Sequence, residues 1–195
     1  MTPAWTVGID LSSTGLGLAA IPGVWDPARR CEWRRIRRTT LTTKPGLPFV
    51  ARADMLANDV VRWLLRLECP ADELVICHEG YPLGAGGLYN VDKLCEVGGI
   101  VKRAIWLEER LNLELWSAAE STARKLVCGK CPQRDRKRVT AAVLRQLAQG
   151  ELDDATLDEC DAITATNLHR SELGLSFVAL PAPVEERRHG KGRAA

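Results

Sequence analysis

Apolar positions fall along this chain in two patterns, short continuous runs and a three-and-four recurrence. Trp5–Ile9 is a short apolar run that closes on one carboxylate, Asp10; Ser12–Gly15 reads as a turn, and Leu16–Ile21 is a second apolar run. Two such runs joined through small turn residues predict adjacent antiparallel strands. Glu32–Leu41 is rich in β-branched and aromatic residues and predicts a third strand, whose arginines place it at an edge or give it one open face. Lys44–Pro48, KPGLP, ends it. From Phe49 to Leu67 the spacing changes: Val50, Met55, Leu56, Val60, Trp63, Leu64 and Leu67 recur three and four apart, which predicts a helix. Glu73–Cys77 is a short continuous apolar run, a buried strand by its length, and it runs into His78-Glu79-Gly80. A strand–helix–strand unit makes this strand parallel to its partner. If that partner is the strand ending in Asp10, then Asp10 and Glu79 finish side by side.

Tyr81–Asn90, YPLGAGGLYN, reads as a mobile Gly-rich loop beside Glu79, and Val91–Leu111 as a long helix. Its apolar positions (Leu94, Val97, Ile100, Val101, Ala104, Ile105, Leu107) cover more than one stripe, which fits a second face buried on a partner chain. Gly98-Gly99 either permits close approach there or packs on the sheet. Leu113–Ala118 predicts a fifth strand, Val139–Leu147 an amphipathic helix, and Thr156–Leu168 a final helix with Asp153 and Asp154 as capping candidates. Residues 1–180 are therefore expected to form a single domain, and 181–195, ending in RRHGKGRAA, a disordered basic tail.

The 195 residues, 46% hydrophobic and 27% charged, suffice for one domain with a real core. The sequence has neither an 18-residue apolar run nor a signal-peptide pattern, so a cytoplasmic protein of a bacterial or phage-infected cell, with no membrane partner, is expected. Net charge is only +2, but it is segregated. Arg29–Lys44 holds seven basic residues and one acid, Arg124–Arg145 eight and one, and Glu151–Asp161 six acids and no base. The basic runs are either solvated faces or surfaces for phosphates, and the acidic run is a candidate for holding cations. Seven cysteines at irregular spacings do not form a disulfide framework; Cys77 and Cys160 fit small core positions. Cys128-Gly-Lys-Cys131 has zinc-knuckle spacing but lacks the second pair that a structural zinc needs.

Four acids carry the chemistry. Asp10 lies in a strand where a charge is expensive to bury, although an Asp that merely opens the turn is the plainer reading. Glu79 ends a second buried strand. Asp158 and Asp161, three apart, share one face of the last helix. Gathering such groups is unfavourable, since two unit charges about 4 Å apart repel by roughly 4 kcal/mol at an effective dielectric of 20. A divalent ion removes that objection, and hard oxygen ligands select Mg²⁺ or Mn²⁺. Two such ions suit in-line phosphodiester hydrolysis, with the basic segments holding the backbone being cut.

At this point the sequence resembles a family. GIDLSSTGLGLA, LVICHEG, VDKLCEVGGI, ESTARKLVCGK and DECDAITATNLH occur in the order and rough spacing of the RuvC-type Holliday junction resolvases, over about residues 5–172. The resemblance implies an α/β, ribonuclease-H-like fold: a five-stranded mixed sheet, its first three strands antiparallel, flanked by helices. It implies a homodimer built partly on the long helix, cutting branched DNA such as four-way junctions with Mg²⁺. Asp10, Glu79, Asp158 and Asp161 match the catalytic, metal-binding acids. Arg124, Lys125, Arg136 and Lys137 fall where the family has basic residues near the scissile phosphate, in a segment about two residues longer here; Lys130 and Arg134 join them as DNA-binding candidates. Tyr81 lies near the family's junction-stacking aromatic, in a loop that differs. The Cys pair and basic third strand depart from the pattern and fit a divergent, phage-type member. Two rival readings keep the same fold: a non-catalytic junction-binding module and a nuclease acting on RNA. An actin-like kinase, whose phosphate hairpin also resembles Gly8–Gly15, needs two domains and more residues.

Overall fold

The computed structural model describes residues 2–12, 15–44, 46–80, 88–111, 115–130, 132 and 134–180, with the side chains of 79 and 88–90 left aside. Five strands, β1 (Trp5–Leu11), β2 (Gly15–Pro22), β3 (Arg37–Thr42), β4 (Leu74–Glu79) and β5 (Leu115–Ala118), form one sheet in the order β3-β2-β1-β4-β5. β1–β2 and β2–β3 are antiparallel; β1–β4 and β4–β5 are parallel. The expected mixed sheet is thus present, with its first three strands antiparallel.

Period-two alternation on the two central strands decides which layer each residue meets. Val7 and Ile9 of β1, with Leu16, Leu18 and Ala20 of β2, pack under α2 (Phe49–Leu65) and α3 (Leu88–Leu107). The intervening Ala19 and Ile21 join the core formed with α4 (Glu120–Cys128), α5 (Arg136–Leu147) and α6 (Leu157–Glu172). Thr6, Gly8 and Asp10 share that second face by alternation, so Asp10 stands beneath α6, not in the apolar layer. The central position of α6 explains its weak stripe in the sequence: every residue from Glu159 to Arg170 is buried.

Several boundaries move for identifiable reasons. The stretch expected to begin the third strand at Glu32 instead forms a short helix, α1 (Arg30–Trp33), and the strand starts only at Arg37. Trp33 is the cause: it is buried edge-on to Trp25, centroids 5.2 Å apart, and its indole N–H donates to the Pro27 carbonyl at 3.0 Å. β3 is an edge strand, as its arginines implied. α3 begins at Leu88 and ends at Leu107, earlier at both ends than the expected Val91–Leu111, and the loop reading of 81–87 lies outside the described residues. α5 begins at Arg136, not Val139. The sequence hides this because three cations in the first turn oppose the helix dipole. The N-cap of α6 is Thr156, not Asp153 or Asp154. Its hydroxyl accepts from the Glu159 N–H, and the Glu159 carboxylate accepts from the Thr156 N–H, a capping box legible in Thr-Leu-Asp-Glu. Cys77 and Cys160 are buried as expected, Cys131 is outside the described residues, and the basic tail 181–195 is likewise. No described helix is long and apolar enough to cross a membrane.

The segregated charges pair across space. Glu151 accepts from Arg30 at 2.7 Å and Arg34 at 2.8 Å, Arg38 bridges Asp154 and stands 3.6 Å from Glu159, and Arg37 lies over the Trp5 ring. Much of the first basic run is therefore occupied by the acidic run, and neither is the free surface that its sequence suggests. Hydrogen bonds from Arg34 and then Arg30 hold the Glu151 carboxyl down at about 2, from an ordinary 4.5. A depressed carboxylate contributes stability above its ordinary value and loses it as pH falls through the folded one. Between pH 4.5 and 2 the urea midpoint of the wild type should therefore fall more than that of Glu151→Gln. Parallel curves would mean that these bridges add nothing to stability.

Candidate active site

Two glycines let α6 descend onto the sheet. A Cβ built on Gly8 would collide with the Ala162 carbonyl oxygen and the Thr166 hydroxyl; one on Gly17 would collide with the backbone and Cβ of Asp158. Gly17 is the register partner of Asp10. The side chain missing at Gly17 therefore leaves the space through which Asp158 comes down beside Asp10. Both glycines act by absence, which a hydrophobic pattern does not register.

Three of the four expected acids converge. Lys137 on the first turn of α5 places Nζ 2.8 Å from Asp10 Oδ2, 3.1 Å from Asp158 Oδ1 and 3.1 Å from Asp161 Oδ2. Asp10 and Asp161 are buried, and Asp158 is half-buried at the rim. Glu79 is represented by its backbone: the parallel register pairs Ile9 with His78, so Asp10 and Glu79 come next along neighbouring strands. The side-by-side arrangement expected of these strand ends is thus met at the backbone.

Arg124, expected at the DNA, is instead turned inward. It is 3% exposed and donates to Asp161 Oδ2 at 3.0 Å and to Glu120 Oε1 at 2.6 Å. Its helix puts Arg124 on the same face as buried Ala123 and Val127, against α6, so the guanidinium has only the interior to reach. Glu120, not singled out from sequence, completes this chain of charges; its signal was the four-residue spacing to Arg124. Lys125, Lys130, Arg134 and Arg136 are exposed, and Tyr81 lies outside the described residues.

Burial pushes the Asp161 carboxyl up to about 6, against the pull of Arg124 and then Lys137, with Asp10 adding to the rise. Burial works against the Lys137 ammonium, but Asp10 and then Asp161 and Asp158 outweigh it and raise its pKa. The site is therefore a compact alternation of anions and cations in a partly dry setting. Among the described residues no group of three acids, histidines or cysteines is arranged as a metal cage; the ammonium stands at the focus of the carboxylates. The donor chemistry nevertheless fits a hard divalent ion. All the donors are carboxylate oxygens, and buried Asp161 Oδ1 takes no hydrogen bond from any described group.

The fold has counterparts among solved structures. Thermus thermophilus RuvC in complex with a Holliday junction substrate superposes with a TM-score of 0.62 at 15% identity, over 87% of this chain and 96% of that one. A second Thermus thermophilus RuvC structure gives 0.56 at 18% identity, with the same coverage. The fold is that of RuvC. No protein-family model and no curated protein matches the chain. The ribonuclease-H-like architecture expected from the motifs is therefore present at an identity too low to carry more than the fold.

Proposed function

We propose that this chain is a divalent-metal-dependent, structure-selective endonuclease that hydrolyses phosphodiester bonds in branched DNA such as Holliday junctions. The observation that carries this reading is the convergence of Asp10, Asp158 and Asp161 beside the Glu79 backbone on a RuvC fold. The four carboxylates would hold two Mg²⁺ ions, with Mn²⁺ able to substitute. When bound, such ions activate a water and offset charge on the leaving oxygen. The chain's own groups do the rest. Arg124 keeps Asp161 aimed and its charge compensated from the interior side. Exposed Lys125, Lys130, Arg134 and Arg136 lie on or between the two helices that flank the site, where they can hold phosphates and orient the strand. Tyr81, in the segment after Glu79, is the candidate to stack at the branch. Paired cuts in two strands need two sites, so a homodimer is part of the proposal. The outward Trp106 and Leu107, more than half exposed at the end of α3, are apolar surface available to it.

Incubation of the full chain with matched four-way, forked, duplex and RNA substrates, in Mg²⁺ and in EDTA, tests the reading. Mg²⁺-dependent cutting confined to branched DNA is the expected result. Binding without cutting would leave a junction-binding module, and preferential RNA cleavage would move the substrate class. Salt dependence then separates the two sorts of basic residue. Arg136→Ala should flatten log affinity against log salt by about 0.9 for duplex arms, because an exposed phosphate contact releases counterions. Arg124→Ala should leave that slope alone and lower stability instead, by about 3 kcal/mol, since it strands Glu120 and leaves buried Asp161 with Lys137 alone. Equal slopes for Arg136→Ala and wild type would remove the start of α5 from the DNA surface.

A further inference from the structure

The two cations of the site are held differently. Arg124 is sealed in the interior and tied to a second acid, Glu120, so its departure would strand Glu120 and leave buried Asp161 to Lys137 alone. Lys137 has a 41% exposed side chain and starts from the first turn of α5, immediately after Asp135, whose φ of 47° sharply redirects the chain into the helix. All its acidic contacts, to Asp10, Asp158 and Asp161, are to candidate metal ligands. Its flexible stem can swing into solvent without uncovering the core.

We propose that Lys137 is the exchangeable resident cation of the carboxylate cluster: its ammonium holds the acids together in the ion-free protein and leaves their focus when a divalent ion enters. This rests on the nuclease reading only in taking those acids as ion ligands. Three carboxylates brought this close repel one another, and one ammonium that touches all three lets the site fold before any ion arrives. A doubly charged ion offers the same oxygens more, and Asp161 Oδ1 is left over for it. Arg124 stays behind in the exchange and keeps Asp161 compensated throughout. The consequence is competition: whatever fraction of the time Lys137 occupies the focus is a fraction in which an ion cannot bind. If that fraction is about nine-tenths, apparent ion affinity is about tenfold weaker than the bare carboxylates would give.

Calorimetric titration of Mn²⁺ into the full chain, for wild type, Lys137→Met and Lys137→Gln, tests this together with a crystal structure of the Mn²⁺-loaded wild type. Both variants should bind Mn²⁺ about tenfold tighter. In the crystal an anomalous Mn²⁺ peak should lie among the carboxylates, with Lys137 Nζ out of hydrogen-bond reach of Asp10. Mn²⁺ affinity in both variants equal to or weaker than wild type overturns the exchange and leaves the nuclease reading standing. So does a bound ion with Nζ still on Asp10. No Mn²⁺ binding by any of the three proteins overturns both.

Discussion

Asp10→Asn and Asp161→Asn should each cut Mg²⁺-dependent junction cleavage by at least about a thousandfold, while junction affinity stays within a fewfold of wild type. The magnitude follows from what a ligand charge does. Losing about 4 kcal/mol of the charge stabilisation that a bound ion supplies corresponds to about a thousandfold in rate. Asparagine keeps the shape of the side chain and one carbonyl oxygen, so packing beneath α6 survives; what goes is the negative charge. Junction affinity survives because phosphate contacts are assigned to exposed Lys125, Lys130, Arg134 and Arg136, none of which pairs with Asp10 or Asp161. Glu79→Gln and Asp158→Asn should follow the same pattern, with Asp158→Asn the mildest because its side chain lies at the rim, 36% exposed. Single-turnover cleavage and gel-shift titration on one four-way junction measure both quantities. Cleavage by Asp10→Asn within a fewfold of wild type would end the metal-site assignment.

What the sequence made legible were features set by neighbours along the chain. The paired apolar runs around Asp10, the three-and-four spacing of the Phe49 helix and the continuous run before Glu79 are local patterns, and each yielded its element. Even the parallel orientation of β4 followed from one strand–helix–strand rule, although that rule left open that its partner is β1. Features set by distant partners did not show. Arg30, Arg34 and Arg38 look like a phosphate surface until Glu151, Asp154 and Glu159 meet them from over 110 residues away. Arg124 looks like a DNA contact because sequence gives charge without direction, and only the packing of α4 on α6 turns it to Asp161. Asp10 and Glu79 stand out because acids in apolar strands are anomalous, and Asp158 and Asp161 because their spacing shares one helix face. Lys137 reads only as basic in the sequence; its place among those acids depends on where α5 starts, and it is one of the three charges that oppose reading a helix there.

Glycine is the remaining feature that pattern alone did not explain, and it gives the second large expected effect. Gly8→Ala and Gly17→Ala should each lower stability by about 3 kcal/mol, the upper end for overpacking, because the atoms in the way are largely helix backbone, which cannot rotate aside. For a chain of this size that is a fall of about 6 to 12 °C in Tm. Their effects on cleavage should separate. Gly8 meets Ala162 and Thr166, one and two turns along α6 from Asp158, whereas Gly17 meets Asp158 itself. A methyl at Gly17 therefore displaces a candidate ligand directly, and a shift of about 1 Å there should cost about a hundredfold in cleavage at temperatures where the variant is still folded. Gly8→Ala should lose less activity for the same loss of stability. Gly99→Ala is the control: it lies on the exposed face of α3 with nothing within 4 Å of the added methyl, so its better helix propensity should raise stability by about 0.8 kcal/mol. Thermal unfolding and single-turnover cleavage of the three variants decide the matter. If Gly17→Ala unfolds and cleaves like wild type, then α6 does not sit close enough to β2 to bring Asp158 to Asp10, and the site would have to be assembled some other way.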